Sequence, residues 1–339
     1  MKPTDFAYSL TAYLSKHLPG QVGASSNTIQ SYRDTFSLLI KYCFAEKHIP
    51  AEKLILGQLD KKMIESFLSW IEVKRKCSVS TRNQRLAAIH AFFKHLQSEK
   101  PHAIYQYQQI LAIPIKKSEK KPIFYLTLDA IKKLLDMPDR KTIKGRRDLV
   151  MLSLLYDSGS RVQEIADLKV ANIRLNHPAT LKITGKGNKT RIVPLMEPMA
   201  KLVEQYLKEN KLNLPQWNES PLFRNRGDNK LTRSGITYIL QKYFNDAKRM
   251  FPNCFPNTVS PHVMRHSKAM HLLQSGVNLI YIRDLLGHTS IQTTEIYART
   301  DSRMKRKALE NAYPNIVADK LPEWQQNTGL LEWLQNLGT

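Results

Sequence analysis

The residues of this chain best equipped for chemistry lie in its second half. Arg161 closes the run Ser158-Gly159-Ser160-Arg161, and Lys186 sits in Gly185-Lys186-Gly187-Asn188. His262 and Arg265 bracket His262-Val263-Met264-Arg265, and His288 precedes Tyr297 by nine residues. Guanidiniums, an ammonium, imidazoles and a phenol together suit attack on a phosphodiester. In-line attack places extra negative charge on the nonbridging oxygens, and without a metal that charge must be met by fixed cations and hydrogen-bond donors. Guanidinium forks match phosphate geometry and stay protonated at any working pH. A phenol can be the nucleophile, but its ordinary pKa of about 10 means that it needs help losing its proton.

Taken singly, each of these residues has an ordinary reading. Arg161 could pair with Glu164 at i,i+3 on a helix surface, Lys186 could be a solvated turn lysine, and His262 and Arg265 could form a polar helix face. His288 could simply follow the helix stop at Gly287. His266 and His271 beside His262 invite a metal site, yet the i,i+4 pair His262 and His266 lacks the glutamate of a HExxH motif. No metal or cofactor is expected. Tyr281, among Leu279, Ile280 and Ile282, reads as helix core rather than as a rival nucleophile.

In combination and in this order the motifs resemble the tyrosine recombinase family of phage integrase and Xer type. The resemblance runs through Ser158-Gly159-Ser160-Arg161, the segment from Thr184 to Leu195, Pro261-His262-Val263-Met264-Arg265-His266, Leu286-Gly287-His288-Thr289-Ser290 and Thr293-Thr294-Glu295-Ile296-Tyr297. Ser267-Lys268-Ala269 departs from common family wording, where a small or aromatic residue is more usual than lysine. The resemblance implies that Arg161, Arg265 and His288 bind the phosphate, that Tyr297 is the nucleophile, and that His262 is its general base. Lys186 becomes the general acid for the departing 5′ oxygen, and Glu164 orients Arg161. The reaction implied is DNA cleavage through a 3′-phosphotyrosyl link, reversed by the hydroxyl of another strand, with bond energy kept in the covalent intermediate. Two alternatives stand beside it: a type IB topoisomerase, and a DNA-binding protein that keeps the fold without catalysis. Phage, transposon and Xer roles, the last for chromosome or plasmid dimer resolution, are all compatible, and a mobile element is the leading one.

The elements that must carry these residues read as mainly α with a small antiparallel β-sheet. The resemblance arranges them as a two-domain, C-shaped clamp on DNA. Ile29, Tyr32, Phe36, Leu39 and Cys43 draw one apolar stripe behind a cap at Ser26 or Asn27, and Asp60 caps a helix carrying Ile64, Phe67, Leu68 and Ile71. Leu86, Ile89, Phe93 and Leu96 follow Ser80, with Arg82, Arg85 and Lys94 on the polar side. Residues 1–113 form the expected helical core-binding (SAM-like) domain. Residues 114–122, with Lys116, Lys117, Lys120 and Lys121, form a basic linker. A catalytic domain over 123–315 opens with a helix capped by Thr127. Ala179 to Leu195 reads as a β-hairpin with Lys186 at its tip. In the tail, 316–339, Leu330, Trp333, Leu334 and Leu337 have the spacing of a helix that could dock on itself or on a neighbouring protomer. No separate arm-binding domain is expected ahead of the first helices.

Charge sets the expected partner. Against 29 Asp plus Glu stand 52 Lys plus Arg, a formal net charge of +23, which points to a polyanion. No apolar run is long enough to span a bilayer and no signal-type block follows Met1, so a soluble protein of the bacterial cytoplasm is expected. Cys43, Cys77 and Cys254 form neither a disulfide framework nor a zinc pattern. Double-stranded DNA is the expected partner, contacted by Arg82, Arg85, Lys116, Lys117, Lys189 and Arg191. The assembly implied is a homo-tetramer on two DNA sites, a dimer or monomer without DNA, with room for accessory proteins.

Overall fold

The N-terminal stripes fold as helices whose caps lie slightly ahead of some of the expected ones. The computed structural model of the chain describes residues 2–117, 123–300 and 328–337. Two units result, Met1–Lys121 and Pro122–Thr339. The first holds α1 (Asp5–Ala12), which runs into a π-helical stretch Tyr13–Gln21, then α2 (Ser26–Lys47), α3 (Lys61–Val73), α4 (Val79–Glu99) and α5 (Ile104–Leu111). Ser25, not Ser26 or Asn27, caps α2 by accepting from the Thr28 amide. Asp60 caps α3 as expected, its Oδ1 2.7 Å from the Met63 nitrogen. Ser78 caps α4, so Ser80 lies within its first turn.

Helix α4 runs through the centre of this unit. It packs against α2, α3 and α5, and its Phe92 ring meets those of Phe6, Tyr13, Phe36 and Phe93. Its arginines also serve the fold. Arg82, 5% exposed, donates from Nη1 to the Pro114 carbonyl at 3.0 Å. Arg85 donates to the Ser31 carbonyl and to Thr35 Oγ1. Asn83 exchanges two hydrogen bonds with the backbone of Lys116. The segment expected to begin a linker at Pro114 is therefore laid along α4 as far as Lys116. Lys120 and Lys121 lie outside the described residues.

The second unit contains α6 (Leu128–Leu135), α7 (Ile143–Asp157), α8 (Val162–Ala166), strands β1 (Ile173–Arg174), β2 (Thr180–Thr184) and β3 (Thr190–Pro194), then α9 (Glu197–Glu209) and α10 (Arg233–Met250). Helices α11 (Pro261–Gln274), α12 (Leu279–Leu286) and α13 (Gln292–Thr300) follow. Thr127 caps α6 as expected. The strands form an antiparallel sheet in the order β1-β2-β3, with Leu181 opposite Val193 and Thr184 opposite Thr190. Leu181, Ile183 and Val193 are buried in the main core of the unit. The hairpin is as expected, and β1 is an addition too short to show alternation.

Helices α11 to α13 enclose a smaller core of their own, built from Ala269, Met270, Leu273, Ile282, Leu286 and Tyr297. Tyr281 takes no part in it. It is 70% exposed, because α12 buries only Ile282 and Leu286. In the tail, Trp333 and Leu334 of α14 (Thr328–Gln335) are exposed, as is Leu337 just beyond it. Residues 316–327 and the side chain of Leu330 lie outside the described residues. Among the described residues no helix is long and apolar enough to cross a membrane.

Replacing Phe92 with alanine removes the ring on which the aromatic cluster converges. The expected cost is about 3–5 kcal/mol, measured as a lower urea midpoint for the helical unit.

Candidate active site

Arg161 stands at the junction of α7 and α8, where the chain must reverse within a few residues. Gly159 makes the reversal at φ +57, a left-handed conformation that costs glycine little. A Cβ there would also stand 2.7 Å from Leu286 Cδ2 of α12. The flanking serines are buried and bonded to each other, Oγ to Oγ at 2.6 Å. Arg161 is thereby delivered as the N-cap residue of α8. Its backbone nitrogen donates to Glu164 Oε2 at 2.8 Å and its Nη1 to Glu164 Oε1 at 2.9 Å.

Glu164 is 5% exposed and holds a second arginine. Arg191, from β3, donates to both of its oxygens, at 2.8 and 3.2 Å. Burial alone would raise the carboxyl's pKa, but the bonds and charge of Arg191, with those of Arg161, outweigh it and hold the group below the ordinary range. Arg191 also donates from Nε to the Leu285 carbonyl at 2.8 Å. Its side chain lies over Gly287, where a Cβ would come within 3.1 Å. Arg191 was expected on DNA; it is largely buried and joins the hairpin to the end of α12.

Arg265 projects from α11 and is 3% exposed. Its Nη1 donates to the Gly159 carbonyl at 2.7 Å and its Nη2 to the Leu286 carbonyl at 2.6 Å. Burial, and then the nearby Arg161, push its pKa down to about 10, so it is still a cation at neutral pH. His288, just past the left-handed Gly287, bonds through Nδ1 to Thr294 Oγ1 at 2.8 Å. Burial, then Arg265 and Arg161, push it down to about 4. It is a neutral hydrogen-bonding group above that pH.

Tyr297 is 1% exposed and lies nearly parallel to the His288 ring, with centroids 6.5 Å apart. Burial raises its pKa, while Arg265 and then Arg161 oppose the rise. The histidine at its hydroxyl is His266, whose Nδ1 lies 2.9 Å from Tyr297 Oη. His262 was expected to fill that place. It sits one turn earlier on an exposed part of α11, its ring 6.3 Å from that of His266. Partial desolvation, followed by Arg265, Arg233 and Arg161, lowers its pKa.

A cavity of about 850 Å³ opens over the site, lined by Arg161, Lys189, Arg191, Arg283, His288 and Thr289 among others. Lys186 belongs to the short helical turn Lys186–Asn188 between the strands; its side chain lies outside the described residues. Of the other expected DNA contacts, Lys117 and Lys189 are exposed, and Lys116 is paired with Glu72 at 2.6 Å. Lys268 reaches Asp157 at 2.7 Å and covers the Tyr156 ring. It thus ties α11 to the end of α7, where the Arg161 loop begins. His271 bonds through Nδ1 to the Tyr156 hydroxyl at 2.8 Å, so His266 and His271, weighed above as metal ligands, each face a tyrosine. Sequence reading missed His266 as a partner of the phenol, and it missed Thr294. The signal for His266 was its i,i+4 spacing from His262, which put both rings on one side of α11.

Comparisons with known proteins cover nearly all of these elements. Residues 125–304 match the family described as phage integrase, and residues 18–102 match its N-terminal SAM-like domain. The chain is 34% identical, over 99% of both lengths, to y4rC of Sinorhizobium fredii (strain NBRC 101917 / NGR234), provisionally named an integrase/recombinase. It is 31% identical to the tyrosine recombinase XerD of Listeria monocytogenes serotype 4b (strain F2365), over 84% of this chain and 91% of that one. Among solved structures, the XerH recombinase bound to a palindromic difH substrate shares the fold with a TM-score of 0.68 at 23% identity, over 89% of this chain and 84% of that one.

His266 and His288 ordinarily titrate near 6.5 and are each pushed down to about 4 here. Between those values the unfolded chain binds protons that the folded site refuses, so stability should fall as pH drops from about 6.5 to 4. His288→Asn, which keeps a partner for Thr294 but does not titrate, is expected to flatten that fall in urea midpoints measured across the window.

Proposed function

The chain belongs to the phage integrase family, and we propose that this site-specific DNA recombinase cleaves with Tyr297 and serves a mobile element. The observation that carries the reading is the position of the Tyr297 hydroxyl. It belongs to a buried ring that lies beside His288 and bonds to His266, within the electrostatic influence of Arg265 and Arg161, charges and donors that a phosphodiester under attack requires.

In this proposal the nonbridging oxygens meet Arg161, Arg265 and His288, whose orientations are set by Glu164, by two carbonyls and by Thr294. Tyr297 Oη attacks phosphorus in line, the bond to the 5′ oxygen breaks, and Lys186 protonates that oxygen. The product is a 3′-phosphotyrosyl link and a free 5′ hydroxyl. The hydroxyl of a second strand then reverses the step, so no external energy source is needed. Double-stranded DNA is the substrate, and the net charge of +23 favours it. Exposed Lys117 and Lys189 are the retained candidates for backbone contacts. Exchange between two sites calls for a tetramer, acting in the bacterial cytoplasm. The full-length match to y4rC, named as an integrase as well as a recombinase, is in keeping with the integrase role proposed.

The test is a nicked suicide duplex carrying the ends of the element that encodes the chain. The wild-type protein should form a covalent adduct with it, Tyr297→Phe should form none, and Arg161→Ala or Arg265→Ala should slow it by about 10²-fold or more. An adduct with Tyr297→Phe would remove that residue as the nucleophile.

A further inference from the structure

Tyr297 must lose a proton as it attacks, and a general base has to stand within hydrogen-bond reach of it. The group that does so is His266, with Nδ1 2.9 Å from Tyr297 Oη. Almost no water reaches this hydroxyl, which is on a ring 1% exposed. A buried phenol carries its proton and needs an acceptor for it. The hydroxyl therefore donates and Nδ1 accepts, which places the imidazole's own proton on Nε2. Both residues are held from opposite sides. His266 lies one turn from His262 and next to Arg265 on α11, and Tyr297 is fixed by the small core of α11 to α13.

We propose that His266 is the general base of the cleavage step, taking the phenolic proton of Tyr297 as Oη attacks phosphorus. This rests on Tyr297 being the nucleophile. In the step, the O–H bond of Tyr297 breaks and its proton passes to Nδ1. The new Oη–P bond forms as the bond from phosphorus to the 5′ oxygen breaks, and that oxygen takes a proton from the Lys186 ammonium. In the reverse step, the imidazolium of His266 returns its proton to the departing phenolate.

The surroundings favour the proton transfer when a phosphate is bound. Burial, then His262 and Arg265, push His266 down to about 4. With the site empty it is a neutral acceptor too weak to deprotonate a phenol. An anionic phosphodiester beside Arg265 and Arg161 offsets the part of that depression due to Arg265 and steadies the imidazolium. The charged and titratable groups facing the pair are His262 and Arg265 on α11, Arg161 at the start of α8, and His288 ahead of α13.

The experiment measures single-turnover adduct formation by the full chain on the nicked suicide duplex, with DNA affinity followed by mobility shift. His266→Ala should slow cleavage by about 10²-fold at neutral pH with unchanged affinity, and its deficit should shrink as rising pH ionises the phenol directly. His266→Asn keeps an acceptor near the Nδ1 position but cannot take a proton, so it should show the same loss even if the alanine variant folds poorly. A bridging 5′-phosphorothiolate, whose sulfur leaves without protonation, should rescue Lys186→Ala but not either His266 variant. The proposal is overturned if His266→Asn cleaves at the wild-type rate, if the thiolate substrate rescues it, or if His262→Ala carries the loss instead. An adduct formed by Tyr297→Phe would instead remove the nucleophile assignment.

Discussion

A guanidinium almost wholly withdrawn from water must be met by oxygen in its own plane, or its burial costs several kcal/mol. Arg265 is met by the carbonyls of Gly159 and Leu286, and both are backbone atoms at the ends of chain segments. One lies in the turn after α7. The other lies at the end of α12, where exposed carbonyls give a helix its partial negative charge. The cation therefore joins two turns that carry residues proposed to face phosphate, Arg161 after one and His288 after the other. Because no carboxylate among the described residues pairs with it directly, Arg265 keeps its positive charge available to an incoming anion.

Glu164 performs the complementary task. Its carboxylate holds Arg161 from its own helix and Arg191 from the hairpin, and Arg191 in turn reaches the Leu285 carbonyl beside the one used by Arg265. The end of α12 is thus bound by two arginines arriving from different elements. Losing either anchor would misplace His288 as well as an arginine. Residues at the rim of the site thus belong to the same bonded set as those that would touch phosphate.

Sequence patterns revealed features whose causes are local. Asp60 and Thr127 were legible as caps because each stands directly before an apolar stripe, whereas Ser25 and Ser26 are adjacent serines and the chain uses the first. The hairpin was legible from alternation and its glycine turn, while β1 was too short to alternate. Side-chain fates set by distant partners were not legible. Arg82 and Arg85 looked like a basic face, but residues 114–116 fold back along α4 and Ser31 and Thr35 approach from α2. Tyr281 looked like core because its neighbours are apolar, yet α12 turns that position outward. His266 stood in plain view beside Arg265, but only the fold of α13 against α11 reveals what its ring touches.

The small core of α11 to α13 counts Tyr297 among its own packing residues. A side chain that fills a core can leave it only by opening a void the size of an aromatic ring, and voids of that kind are costly. The side chain proposed to attack phosphorus is therefore also one that holds these three helices together. With Tyr297 as the proposed nucleophile, chemistry and cohesion draw on the same residue. Such an arrangement makes the packing of α11 to α13 and the placement of the Tyr297 hydroxyl against His266 a single property, so that disturbing one disturbs the other.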